Sequence, residues 1–105
     1  MLPNYITSKF NTVRGVEPKE LNIRKKLYIY TALDNNKNHI CILNITQKSR
    51  VLQKDIEIFE DIFKKLQKLK NISFLDKLIY IESPLCSKAK TKLQNLNWNV
   101  INENI

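Results

Sequence analysis

The sequence predicts an α/β domain with a small mixed sheet, on three observations. Four short runs are rich in β-branched and aromatic residues, at 27–33, 40–46, 78–81 and 98–101. Between the second and third lies a long amphipathic helical pattern, and between the third and fourth a shorter one. Among 105 residues Gly occurs once, at Gly15, and Pro three times, too few chain breakers for a turn-rich sandwich or barrel.

Residues 1–26 carry no clean period. Leu2, Tyr5, Ile6, Phe10 and Val13 are able to pack, and Glu17-Pro18-Lys19-Glu20-Leu21 reads as a helix start with Pro18 near the first position. Lys9, Arg14, Lys19, Arg24, Lys25 and Lys26 stand against Glu17 and Glu20, so this quarter supplies half of the net +8. It reads as a basic N-terminal segment, 1–26, that is either an arm or a short helix laid on a sheet formed by 27–105.

Leu27–Leu33 is the first strand, and the polar run 34–38 is a turn, since Asp and Asn accept left-handed backbone. Ile40–Thr46 follows as the antiparallel partner; Ile40 to Leu43 is apolar on both faces, which places this strand in the middle of the sheet. Leu52, Ile56, Phe59, Ile62, Phe63, Leu66 and Leu69 step by three and four, one face of a five-turn helix over 51–70. On its other face Glu60–Lys64 and Asp61–Lys65 are favourable i,i+4 pairs. Leu78–Ile81 is a third strand. After Ser83-Pro84 a second helix runs to about Leu96, with Ala89, Leu93 and Leu96 inward, and Asn97 ends it. Trp98–Ile101 is the last strand. The expected order is β-β-α-β-α-β, a four-stranded mixed sheet.

Composition bounds the function. A net charge of +8 with 18 Lys and Arg favours polyanions, and the expected partner is DNA or RNA, with an acidic protein as the alternative. No apolar run approaches the ~20 residues of a membrane span, and Met1–Arg14 is interrupted by polar and charged residues, so neither membrane insertion nor a signal region is expected. Two cysteines without a CxxC pair, Cys41 and Cys86, read as free thiols of a reducing, cytoplasmic setting. The single His39 has no cluster of metal-ligating residues around it, and no Gly-rich loop is present, so neither a metal nor a cofactor is expected.

Parallel strands present their carboxyl ends at one edge, where ligands of open α/β sheets bind. Two junctions meet there in this reading. One is Gln47-Lys48-Ser49-Arg50 after the second strand; the other is Glu82 to Lys88 after the third. Both open helices, whose free N–H groups and dipole attract anions. Lys48, Arg50 and Lys88 add charge, and Ser49, Ser83 and Ser87 add hydroxyls that suit phosphate or cap the helices. The basic Arg24, Lys25 and Lys26 extend the expected nucleic-acid surface. Tyr28 and Tyr30, two apart on one strand face, suit either base stacking or a half-buried sheet.

Cys86 stands at a helix start beside Lys88, a setting that lowers a thiol's pKa. The stretch Tyr80-Ile81-Glu82-Ser83-Pro84-Leu85-Cys86-Ser87-Lys88 resembles the strand, loop and helix that carry the active cysteine of glutaredoxin-like proteins, which would imply a thiol enzyme. Over 27–101 the order of elements resembles the core of restriction-endonuclease-like (PD-(D/E)xK) nucleases. That resemblance implies Asp34 as the family's Asp and Ile40–Thr46 as the strand of its acid-x-Lys signature. Here that strand holds neither acid nor Lys; Lys48 lies just beyond it, and Glu57 or Glu60 on the next helix would be the substitute acids. The implication is a nucleic-acid-binding domain of nuclease-like fold that does not cleave. A metal-dependent nuclease or thiol enzyme at the same edge is the lesser alternative.

Overall fold

The computed structural model describes residues 2–23 and 27–103. The chain opens with a one-turn helix α1 (Asn4–Thr7), then β1 (Thr12–Val16), a 3-10 turn (Pro18–Leu21), β2 (Leu27–Leu33) and β3 (His39–Ile45). Then follow α2 (Gln53–Lys70), β4 (Asp76–Ile81), α3 (Ser87–Asn95) and β5 (Trp98–Asn102). One sheet holds all five strands in the order β1-β2-β3-β4-β5, and β3 is its centre. The pairs β1–β2 and β2–β3 are antiparallel; β3–β4 and β4–β5 are parallel, as crossover helices require.

The sheet therefore has five strands, not four. The fifth comes from the basic N-terminal stretch, where Thr12 and Val16 bracket an edge strand on β2 in the register Thr12↔Leu33 to Val16↔Ile29. Arg14 and Gly15 break its apolar alternation, which hides the strand from a periodicity reading. An edge strand tolerates both, because one of its sides faces water.

Each face of the sheet has its own core. Leu27 and Ile29 of β2, Cys41, Leu43 and Ile45 of β3, and Ile79 and Ile81 of β4 meet Ile56, Phe59, Ile62 and Leu66 of α2 and Ala89 and Leu93 of α3. On the opposite face Ala32, Ile40, Ile42, Leu78 and Tyr80 pack with Leu2 and Ile6. The helix face of α2 is rotated from the expected one. Ile62 is fully buried, whereas Phe63 sits at the margin and Leu52 and Leu69 are exposed.

The helix starts differ from expectation as well. α2 begins at Gln53, and its first turn is closed by Asp55, whose carboxylate accepts the Leu52 N–H at 2.9 Å. α3 is preceded by Cys86. None of the three serines caps a helix. Ser49 accepts from the Gln47 amide, the buried Ser83 hydroxyl donates to the Gln47 carbonyl, and Ser87 is already helical, its carbonyl accepting from Thr91. The β2–β3 turn is an Asx turn: Asp34 Oδ1 accepts the N–H groups of Asn36 and Asn38, both at 2.8 Å, while Lys37 takes the left-handed position with φ 64°.

Candidate nucleic-acid interface

The carboxyl ends of β3 and β4 lie side by side, with Ile45 opposite Ile81. The two following junctions then zip together. A parallel bridge joins Val51 and Leu85; the Val51 N–H donates to Pro84 O at 2.8 Å and the Cys86 N–H to Val51 O at 3.1 Å. Ser83 ties Gln47 to the same edge, and Gln47 folds over its own loop, donating to Ser49 O and Arg50 O. Asn102 of β5 closes the far side by donating to Ile81 O and Ser83 O, both at 2.9 Å. The junctions 47–51 and 83–88 are thus one surface.

On that surface Lys48, Ser49, Arg50, Ser87 and Lys88 are exposed. Ser83 is not available to a ligand: it is 1% exposed and its hydroxyl is engaged with Gln47. Cys86, half-buried, is the residue before α3. Its thiol pKa is lowered, first by the N–H of Ala89, then by that of Lys88, and further by the charges of Arg50 and Lys88. Cys41, in contrast, is fully buried, and burial pushes its thiol up to about 12; both cysteines are free. Arg24, Lys25 and Lys26 lie outside the described residues.

The sheet face opposite α2 and α3 carries an aromatic and carboxylate cluster that sequence reasoning saw only in part. Tyr28 is exposed, whereas Tyr30 is half-buried against the cluster that includes Leu2 and Ile6 of the N-terminal segment. The fully buried Asn44 donates to Tyr80 O at 3.2 Å and to Glu82 Oε2 at 3.0 Å. Glu103 accepts from both Tyr80, at 2.7 Å, and Tyr5, which holds its carboxyl below the usual range and raises both phenols. Register is the signal that would have revealed the cluster, because it sets Tyr28 opposite Asn44 and Asn44 beside Tyr80.

Asp34 is not at this surface. β2 runs antiparallel to β3, so Asp34, just beyond the end of β2, lies at the opposite end of the sheet, where the carboxylate is committed to the turn and its pKa lowered by the Asn38 N–H. Glu60 is committed too. Its Oε2 accepts from Trp98 Nε1 at 2.9 Å and pairs with Lys77 at 3.2 Å, rather than forming the expected ladder with Lys64; Asp61 and Lys65 do pair, at 3.1 Å. Glu57 stays on the exposed side of α2. Among the described residues no group of three or more His, Cys, Asp or Glu is placed to hold a metal ion, and no helix is long and apolar enough to cross a membrane.

No protein-family model matches the chain, and no curated protein matches its sequence. Among solved structures it is similar to EndoMS in its apo form, a restriction-endonuclease-like nuclease, with a TM-score of 0.58 at 10% identity. The match covers 94% of this chain and 42% of that one, so this chain spans less than half the length of its structural neighbour. At that identity the likeness is one of fold alone: the chain shares the α/β architecture of the matched part of that structure.

Proposed function

We propose that the domain binds nucleic acid without cleaving it, through phosphate contacts at the surface formed by residues 47–51 and 83–88. The observation that supports this reading is the backbone bridge Val51–Leu85, which joins the two junctions that carry Arg50 and Lys88. Convergent cations next to helical N–H groups suit phosphate oxygens. The net charge of +8 and the nuclease-like fold support the same partner. The start of α2 contributes little, because Asp55 already occupies it with a carboxylate. The contacts are therefore assigned to Lys48, Arg50 and Lys88, with hydroxyls from Ser49 and Ser87.

Catalysis is left out on the chemistry of β3. Metal-dependent cleavage needs carboxylates to hold a divalent ion and a cation to balance charge. Here β3 offers Asn44, and Asp34 and Glu60 are engaged elsewhere. The test is retention of labelled DNA and RNA by the parent, by Lys48→Glu with Lys88→Glu, and by Lys64→Glu with Lys68→Glu on the solvent side of α2. Loss confined to the first pair supports the edge. Equal loss in both means diffuse attraction, and no retention by the parent moves the reading to an acidic protein partner.

A further inference from the structure

A groove with basic lining lies at the other end of the sheet. On the helix side, α2 and the 3-10 turn leave the β1–β2 pair uncovered near its hairpin end, and a groove of about 470 Å³ opens there. Strand register builds it. Thr12, Arg14 and Val16 share one face of β1, and Val16 belongs to the helix-side core. Arg14 lies opposite Thr31, and Thr12 opposite Leu33, which in turn lies opposite His39. The end of α2 supplies Lys70, and Ile72 lies just beyond it.

Three basic side chains from three elements thus line one groove, with two threonine hydroxyls and no carboxylate. Arg14 and Lys70 are exposed, and among the described residues neither makes an ion pair. An uncompensated basic cluster in a concave site attracts an anion strongly, because the walls exclude part of the screening water. The guanidinium of Arg14 matches a phosphate in two-pronged fashion, and Lys70 adds a point charge. The groove is within the usual span of small-molecule sites, ~300–1,000 Å³, and holds far more than an inorganic phosphate alone. Apolar walls at Val16, Leu33 and Ile72 suit an organic body.

We infer that this groove binds a phosphate monoester of mononucleotide size, its phosphate between Arg14 and Lys70 and its body along the apolar wall. The site is independent of the edge at 47–51 and 83–88, since Thr12 and His39 lie at the amino ends of β1 and β3, where Ile45 marks the carboxyl end.

The experiment is calorimetric titration of the full chain with 5′-AMP, adenosine and inorganic phosphate. The expected result is saturable AMP binding below ~1 mM and none detectable for adenosine. Arg14→Glu with Lys70→Glu should weaken AMP by at least about tenfold, as expected when one charge-assisted hydrogen bond or more is removed. Lys48→Glu with Lys88→Glu, the same change in net charge at the far end of the sheet, should leave AMP binding within about twofold while it removes polynucleotide retention. If the first double variant melts too low to assay, Arg14→Gln on the exposed edge strand replaces it with the same direction of effect. A 5′-phosphorylated trinucleotide that displaces AMP where its dephosphorylated form does not identifies a strand end as the source; without displacement the source is a free nucleotide. Adenosine binding as tightly as AMP, no AMP binding, or equal loss in both double variants overturns the inference.

Discussion

Phe59 and Phe63 stand one helical turn apart on α2, and the structure gives them different weights. Phe59 is fully buried at the centre of the helix-side core, whereas Phe63 sits at its margin against Phe74 and Trp98, with ring centroids 5.8 and 5.9 Å away. Phe59→Ala removes a buried phenyl and leaves a cavity that a β3–α2–β4 sandwich closes poorly, a loss of about 3–5 kcal/mol. With an unfolding entropy of ~2.1 cal/mol/K per residue, 105 residues give roughly 0.22 kcal/mol/K, so the melting temperature should fall by about 14–23 °C. Phe63→Ala should cost clearly less, because water already reaches that ring; about half is the expectation. Ile58→Ala, at a 40% exposed position on the same helix, should change little. Thermal melts by circular dichroism and calorimetry read all three. If Phe63→Ala lowers stability as much as Phe59→Ala, then α2 does not turn Phe63 to the margin of the core.

Two further outcomes test local chemistry. Glu60→Gln keeps an acceptor for Trp98 but removes the charge facing Lys77, whose ammonium also lies 4.6 Å over the Phe63 ring. With both side chains mostly buried, the loss should be about 1–3 kcal/mol, and a cycle with Lys77→Met should show coupling of at least ~0.5 kcal/mol; additive effects would refute the pairing. For the thiols, Cys86 should label rapidly in the folded protein, its rate rising with pH to a plateau whose midpoint lies below the ordinary thiol value, because helix N–H groups favour the thiolate. Cys41 should label only as fast as the protein opens, since its thiolate is disfavoured by burial until about pH 12. Equal rates in native buffer would contradict both placements.

What sequence carried, and what it hid, follows from the range of each signal. The strand at Leu27–Leu33, the Leu78–Ile81 part of β4 and the helix at Gln53–Lys70 are written in local period and β-branching, and Asn97 ends α3 with the left-handed φ of 71° that its side chain tolerates. The strand Thr12–Val16 escaped because pairing to β2, a long-range fact, stabilises a segment whose own pattern is broken by Arg14 and Gly15. That the junctions 47–50 and 82–88 follow neighbouring strand ends is legible from parallel topology, and the Val51–Leu85 bridge joins them. The serines misled, since a hydroxyl near a helix start suggests a cap, but Asp55 and the Val51–Leu85 bridge fix those starts instead. Glu60 misled for a related reason: an i+4 lysine is visible in sequence, while Lys77 and Trp98 reach it only through the fold. The cationic groove gave no local signal, because Arg14, His39 and Lys70 come from three distant segments.

The central claim is that Lys48, Arg50 and Lys88 act together on phosphates, and the salt dependence of binding tests it most directly. Each phosphate engaged should contribute ~0.7–0.9 to the slope of log affinity against log salt, single strands at the lower end. Lys48→Glu with Lys88→Glu should therefore lower both affinity and slope, the slope by roughly 1.4–1.8 when two phosphates are released. Lys64→Glu with Lys68→Glu should leave the slope near that of the parent. Equal slopes in the two double variants, or no retention of DNA or RNA by the parent at ~50 mM salt, would contradict the account.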